Sequence, residues 1–180
     1  MPTMIYHRRP DDMVGRTLYP LNRLRAFAPE QYERQRAKYA GREALCDFRV
    51  PHLGCLWNDV LHFSPVHPAK LRELALAEEF RWREADWFEI DPAAAGFTAA
   101  NSLIFLHTQL EFDDYWMPPE QFEIYRPERL AELSELPELT RNAYRAARAG
   151  TLRGLLLLSG VPHILHHGAV DTIDVPLVRI

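Results

Sequence analysis

Apolar positions recur at two spacings along the chain, and the change from one to the other marks the elements it encodes. Residues 3–7 (TMIYH) read as a first strand, and 14–19 as a second with Gly15 as its weak point. Residues 29–40 (PEQYERQRAKYA) carry a proline in the first turn and Gly41 just beyond, which predicts a helix with Tyr32 and Tyr39 on one face. Residues 50–56 read as a loop. Over 59–64 (DVLHFS) the pattern alternates as in a strand, and Pro65 closes it. That alternation, carried back one residue, puts Asn58, Val60, His62 and Ser64 on one face and Leu61 and Phe63 on the other.

Helical spacing returns over 68–79, where Leu71, Leu74 and Ala75 line up. Residues 87–90 (WFEI) predict a buried strand, and 91–100 a flexible run of small residues. For 102–110 periodicity does not separate strand from helix. Residues 118–136 read as short helices punctuated by proline, and 137–149 as a longer helix ending at Gly150. Residues 154–159, 163–167 and 175–180 read as closing strands. Strands at both ends with helices between them, and no repeat or linker, predict one α+β domain over 1–180. Its centre is a partly antiparallel sheet flanked by helices.

Composition narrows the class. A length of 180 residues suits one domain with a real core. A hydrophobic content of 47% with a net charge of -4 excludes a natively disordered chain. The apolar run 155–158 falls far short of the roughly 20 residues a membrane helix needs. The first ten residues lack the apolar stretch of a secretory signal. Both features lead to the expectation of a cytoplasmic protein with no membrane partner. Cys46 and Cys55, with no CxxC, read as reduced, buried thiols.

Charge is unevenly spread. Residues 1–50 hold ten Lys and Arg against six Asp and Glu, whereas 70–140 hold six against sixteen. A basic face therefore survives the acidic total and opens nucleic acid as a partner. A merely solvated surface accounts for the same charges, because no basic run is dense.

Two segments carry candidate chemistry. Residues 51–68 (PHLGCLWNDVLHFSPVHP) concentrate Trp57, Asn58, Asp59, His62, Ser64 and His67. A strand presenting Asn58, His62 and Ser64 makes a hydrogen-bonding wall, and Trp57 supplies a stacking surface for a ligand. Residues 161–168 (VPHILHHG) bring together His163, His166 and His167. Imidazole is the usual general base and a common metal ligand. A metal would need a further ligand such as His62 or His7, and no HExxH supports one, so no metal is expected. Glu111, Asp113 and Asp114 form an acidic group beside Tyr115 and Trp116, a candidate acid/base site. The chain has no GxxxxGK[ST], GxGxxG or GxSxG, which excludes P-loop, Rossmann and α/β-hydrolase signatures.

The order of these elements resembles a known family. An early strand ending in Tyr6-His7 is followed by a helix and by residues 60–71 (VLHFSPVHPAKL), where Phe63, Ser64, Pro65 and Pro68 open a helix. Then come the strand 87–90 and the closing residues 161–180. This layout resembles DNA-modifying ADP-ribosyltransferases of the DarT type. The resemblance implies a split β-sheet clasping NAD, with His7 near the ribose and an aromatic ring over the nicotinamide. Taken with the residue readings above, Tyr6, His7, Trp57, Asn58 and Ser64 are the expected cofactor-binding residues, and His62, His163 and Glu111 the expected catalytic ones. The ligand would be a small nucleotide, and the acceptor a nucleic acid or a protein.

The chain departs from the family at the residue that matters most for rate. A catalytic glutamate is expected where His163 stands, and an imidazole does not replace an anion beside a developing ribosyl cation. Glu89, Asp91 or Glu111 would have to supply that charge. Slow turnover, or none, is the expectation. Two other functions stay open: a non-catalytic binding protein on the same fold, and a His-based metallohydrolase.

Overall fold

The computed structural model describes residues 3–111, 116–152 and 154–180. Its strands are β1 (Ile5–Arg8), β2 (Thr17–Leu18), β3 (Leu61–Phe63), β4 (Asp86–Ile90), β5 (Ser102–Phe105), β6 (Phe122–Ile124), β7 (His163–His166), β8 (Val170–Asp171) and β9 (Leu177–Arg179). Its α-helices are α1 (Leu21–Leu24), α2 (Pro29–Arg36), α3 (Ala44–Asp47), α4 (Pro68–Ala77), α5 (Leu130–Leu133) and α6 (Glu138–Arg148). The class is α+β, with antiparallel pairing in every sheet.

Two sheets make the frame. One runs β1-β4-β9 and the other β3-β7-β5-β6. Among the described residues, a single backbone-bonded pair joins them. Tyr6 donates its backbone N–H to the Ser64 carbonyl at 2.7 Å, and Ser64 donates back to the Tyr6 carbonyl at 2.8 Å. The next rung would use the Val66 N–H, which goes to the Ser64 hydroxyl, so the ladder stops there. The Ser64 hydroxyl turns the chain instead, accepting from Val66 N at 3.1 Å and donating to Val66 O at 2.9 Å.

Register decides which side chains meet. In an antiparallel ladder, directly opposed residues share a face. His62 opposes Leu165, which opposes Leu103, and His163 opposes Phe105, which opposes Phe122. His163 and Leu165 are two apart on β7, so His62 and His163 point to the same side. The other side presents Phe63, Ile104 and Ile164, all fully buried with Ile5, Ile90 and Leu130 in the main core.

The helices start and stop for local reasons. His67 caps α4, its Nδ1 accepting from Ala69 N at 3.1 Å, and Pro68 fills the first turn. Arg145 and Arg148 near the end of α6 reach Glu78 and Glu79 just past α4, and Arg145 also reaches Glu138. These exposed pairs consume acidic charge but add little stability singly.

Several elements differ from the sequence expectation. Only Thr17–Leu18 of 14–19 is strand, because Gly15 adopts φ +75° in a turn. The helix over 29–40 tightens after Arg36 into a 3-10 turn, Ala37–Tyr39. Trp57–Asp59 is a 3-10 turn as well, held by Asp59, whose carboxylate accepts from Leu56 N at 2.9 Å. Asn58 therefore does not belong to the β3 strand.

Residues 118–136 contain β6 between their short helices. The run 91–100 is fixed by Asp91, which accepts from Ala93 N and Ala94 N, and it buries Phe97. Residues 154–159 are turns rather than strand. Leu156 and Ser159 bond each other there, and Gly160 at φ +71° sits so close to Leu139 and Thr140 that a Cβ would crowd them. The short helices α1 and α3 had no periodic signal. Among the described residues, no helix is long and apolar enough to cross a membrane.

Phe63 is 0% exposed and touches the rings of His7 at 5.3 Å and Phe97 at 5.2 Å, so it bonds the seam to the core. Phe63→Ala should cost about 3–5 kcal/mol. Urea unfolding measures this, with Val14→Ala, at a position 65% exposed, as the nearly neutral control.

Candidate functional site

A cavity of about 950 Å³ lies on the His62 side of the sheet, at the upper end of the usual range for a ligand site. Distant segments build it. β1 contributes His7, the 3-10 turn contributes Trp57 and Asn58, and β3 contributes His62. β5 and the segment after it contribute Phe105, His107 and Glu111, and β7 contributes His163. The helical cap of α1, α2 and the turn behind α2 closes the cavity with Gln31, Gln35 and Tyr39.

The aromatic floor is ordered. The Trp57 ring lies 4.6 Å from His62 and meets Phe105 edge-on at 5.6 Å. His62 Nε2 donates to the Trp57 carbonyl at 3.3 Å, which leaves Nδ1 as the unprotonated nitrogen of the neutral ring. His107 donates from Nδ1 to the Val161 carbonyl at 3.1 Å and stacks over Phe105 at 5.1 Å. His163 stands 6.0 Å from His62 and 5.7 Å from His107, ring to ring.

Burial sets the charge state of these rings. It pushes His7 and His62 down to about 4. Burial, then His107 and His62 as neighbours, holds His163 well below the ordinary imidazole range. Burial lowers His107 too, and it raises Tyr39 to about 12. The wall is thus a set of neutral hydrogen-bonding rings. Asn58 Oδ1, His7 Nδ1 and His163 Nδ1 are buried there and find no hydrogen-bond partner among the described residues. Each such atom costs roughly 1–3 kcal/mol.

Two cations also line the cavity. Lys38 donates to Gln35 Oε1 at 2.5 Å, and Arg42 lies 5.6 Å over the Tyr39 ring and donates to the Lys38 carbonyl at 2.5 Å. Among the described residues neither cation sits in an ion pair, unlike Arg145 and Arg148 on α6.

The sequence-selected residues divide accordingly. His7, Trp57, Asn58, His62, His163 and Glu111 line the cavity. Tyr6 and Ser64 do not. Along β1 successive side chains alternate, so Tyr6 faces away from His7 and donates to Glu89 Oε1 at 3.1 Å. Ser64 spends its hydroxyl on the Val66 turn. Glu89 and Asp91 are held elsewhere by Tyr6 and by the 91–97 turn, which leaves Glu111 as the one of the three proposed carboxylates at the cavity.

The three C-terminal histidines separate. His166 faces the opposite side, stacked on Phe97 at 4.1 Å with Nδ1 on Ser102 Oγ at 3.0 Å, and His167 is exposed. Gly168 packs against this ring, since a Cβ there would fall 2.8 Å from His166 Nε2 and displace it. Among the described residues, no group of three or more His, Cys, Asp or Glu is placed to hold a metal ion. Cys46 and Cys55 are free and half-buried. Asp113, Asp114 and Tyr115 lie outside the described residues.

Sequence reasoning missed His107 and the cap residues Gln31, Gln35, Lys38, Tyr39 and Arg42. His107 carries one signal visible only in the structure, a φ of +53° that a non-glycine residue rarely adopts.

Compared with protein-family models, curated proteins and solved structures, the chain matches none.

The buried imidazoles predict acid lability. His7, His62 and His166 sit at about 4 in the folded chain against 6.5 as free side chains. Between those values the unfolded chain binds more protons, so their stabilising contribution is complete above 6.5 and is lost as pH falls toward 4. Urea midpoints should be level above 6.5 and fall below it, more gently in His62→Gln. An equal slope in that variant would contradict the burial of His62.

Proposed function

We propose that this cavity binds a nucleotide-like ligand, with NAD as the leading candidate, in a protein of ADP-ribosyltransferase-like function. The observation that carries the reading is convergence. His7, Trp57, Asn58, His62 and His163 come from four separate segments and border one cavity. A base or nicotinamide ring would lie on Trp57, ribose hydroxyls would meet Asn58 and the imidazoles, and the pyrophosphate would sit toward Lys38 and Arg42. Arg is suited to that contact by its planar fork of donors.

Transfer of ADP-ribose would also need an anion where positive charge develops on the ribose. Neutral His163 does not provide it. Glu111 supports the enzymatic reading from the opposite segment of the wall, and its exposure makes it a poorly preorganised carboxylate. Nicotinamide would leave with the bonding electron pair, and an acceptor nucleophile or water would take its place. The imidazole at position 163 also favours a second reading, a binding protein on this fold that performs no transfer.

Calorimetry with NAD, followed by nicotinamide release with DNA, RNA and protein acceptors, separates these readings. Trp57→Ala should weaken NAD binding about tenfold or more. Slow release that drops by about 10²–10³ in Glu111→Gln, with binding kept, supports the enzyme. Binding without release supports the binding protein. Absence of NAD and ADP-ribose binding contradicts the nucleotide reading and leaves a binding protein for another ligand.

A further inference from the structure

The cavity collects four imidazoles on four segments: His7 on β1, His62 on β3, His107 after β5 and His163 on β7. The rings of His163 and its neighbours stand only 5.7–6.0 Å apart. Two charged rings at that spacing in a poorly solvated wall would repel strongly. The other charged groups lining the cavity make a second positive charge harder still, because Lys38 and Arg42 are cations and Glu111 is the only carboxylate among the described lining residues. Tyr39 adds a phenol that burial pushes up to about 12, so it is neutral near pH 7. The wall is thus balanced against cation and suited to an anion. His62 is poised to accept a proton, since its Nε2–H is fixed on the Trp57 carbonyl and Nδ1 is left to receive one.

We propose, building on the nucleotide reading above, that the cavity takes its ligand as an anion together with a proton, which is held on the His7–His62–His163 cluster. The proton comes from solvent and goes to an imidazole nitrogen, and no bond in the ligand breaks. Burial is what keeps these rings neutral, and a pyrophosphate lying between the cluster and Lys38 and Arg42 would supply the counter-charge that offsets it, so it favours the charged ring. By reciprocity the charged ring favours the phosphate. With the free rings of His7 and His62 at about 4, affinity rises as pH falls from the alkaline side. The limit is about tenfold per pH unit for each proton taken up.

ADP-ribose is the probe, because its pyrophosphate is a diester that does not titrate near neutrality, so any proton taken up goes to the protein. Untagged protein is titrated with ADP-ribose at about pH 6.5 in buffers of different ionisation enthalpy, with uncharged adenosine as the comparison. The expected result is uptake approaching one proton per ADP-ribose and none with adenosine, reduced in His62→Gln. Imidazole ¹⁵N shifts of the unmodified protein should move toward the protonated form for a ring of the cluster. If ADP-ribose binds with no uptake and unmoved imidazole shifts, this inference is overturned while the nucleotide reading stands. Uptake that the ¹⁵N shifts place outside the cluster overturns it as well. If neither ADP-ribose nor NAD binds, the nucleotide reading fails and takes the inference with it.

Discussion

One backbone pair, Tyr6 with Ser64, joins the two halves of the molecule. Its two hydrogen bonds are the only rung between the sheet β1-β4-β9 and the sheet β3-β7-β5-β6 among the described residues. Everything about the cavity follows from that rung being alone. On one side of it Val66 N–H goes to the Ser64 hydroxyl, and on the other, the cavity side, no rung joins Arg8 to His62 among the described residues. Alternation on β1 then sends Tyr6 outward to Glu89 and His7 inward toward Phe63 and the cavity. A longer ladder would close the gap that these side chains border.

The cavity wall is expensive to maintain. Buried imidazoles must stay neutral, and Asn58, His7 and His163 each keep a buried polar atom without a partner in the described chain. A core built only for stability would fill these positions with apolar side chains, as the same face does at Leu103, Phe105 and Leu165. The buried polar atoms left without a partner among the described residues, at His7, Asn58 and His163, are the physical basis for reading the cavity side as a binding surface.

Much of this was legible in the sequence, and what was not has identifiable causes. The strands at 5–8, 86–90, 163–166 and 177–179 fall where alternation or buried apolar runs predict them, as do the helices at 68–77 and 138–148. Polar density in 57–67 pointed to Trp57, Asn58 and His62, and the histidine cluster pointed to His163. Asn58 reaches the cavity beside His62 as alternation predicts, but from a 3-10 turn that Asp59 folds rather than from the strand, and Ser64 does not reach it because Val66 claims its hydroxyl. Leu155 to Leu158 imitated a strand, although glycines at both ends hold it in turns. His107, Lys38 and Arg42 reach the site through tertiary packing alone, and no local spacing announces that.

A crystal structure of the protein with ADP-ribose tests the central claim most directly. The account predicts a ring of the ligand against Trp57, within reach of Asn58 and His163, and the pyrophosphate toward Lys38 and Arg42. Ligand seated instead on the opposite face, beside Phe97 and His166, or at the Tyr6–Glu89 pair, would contradict it.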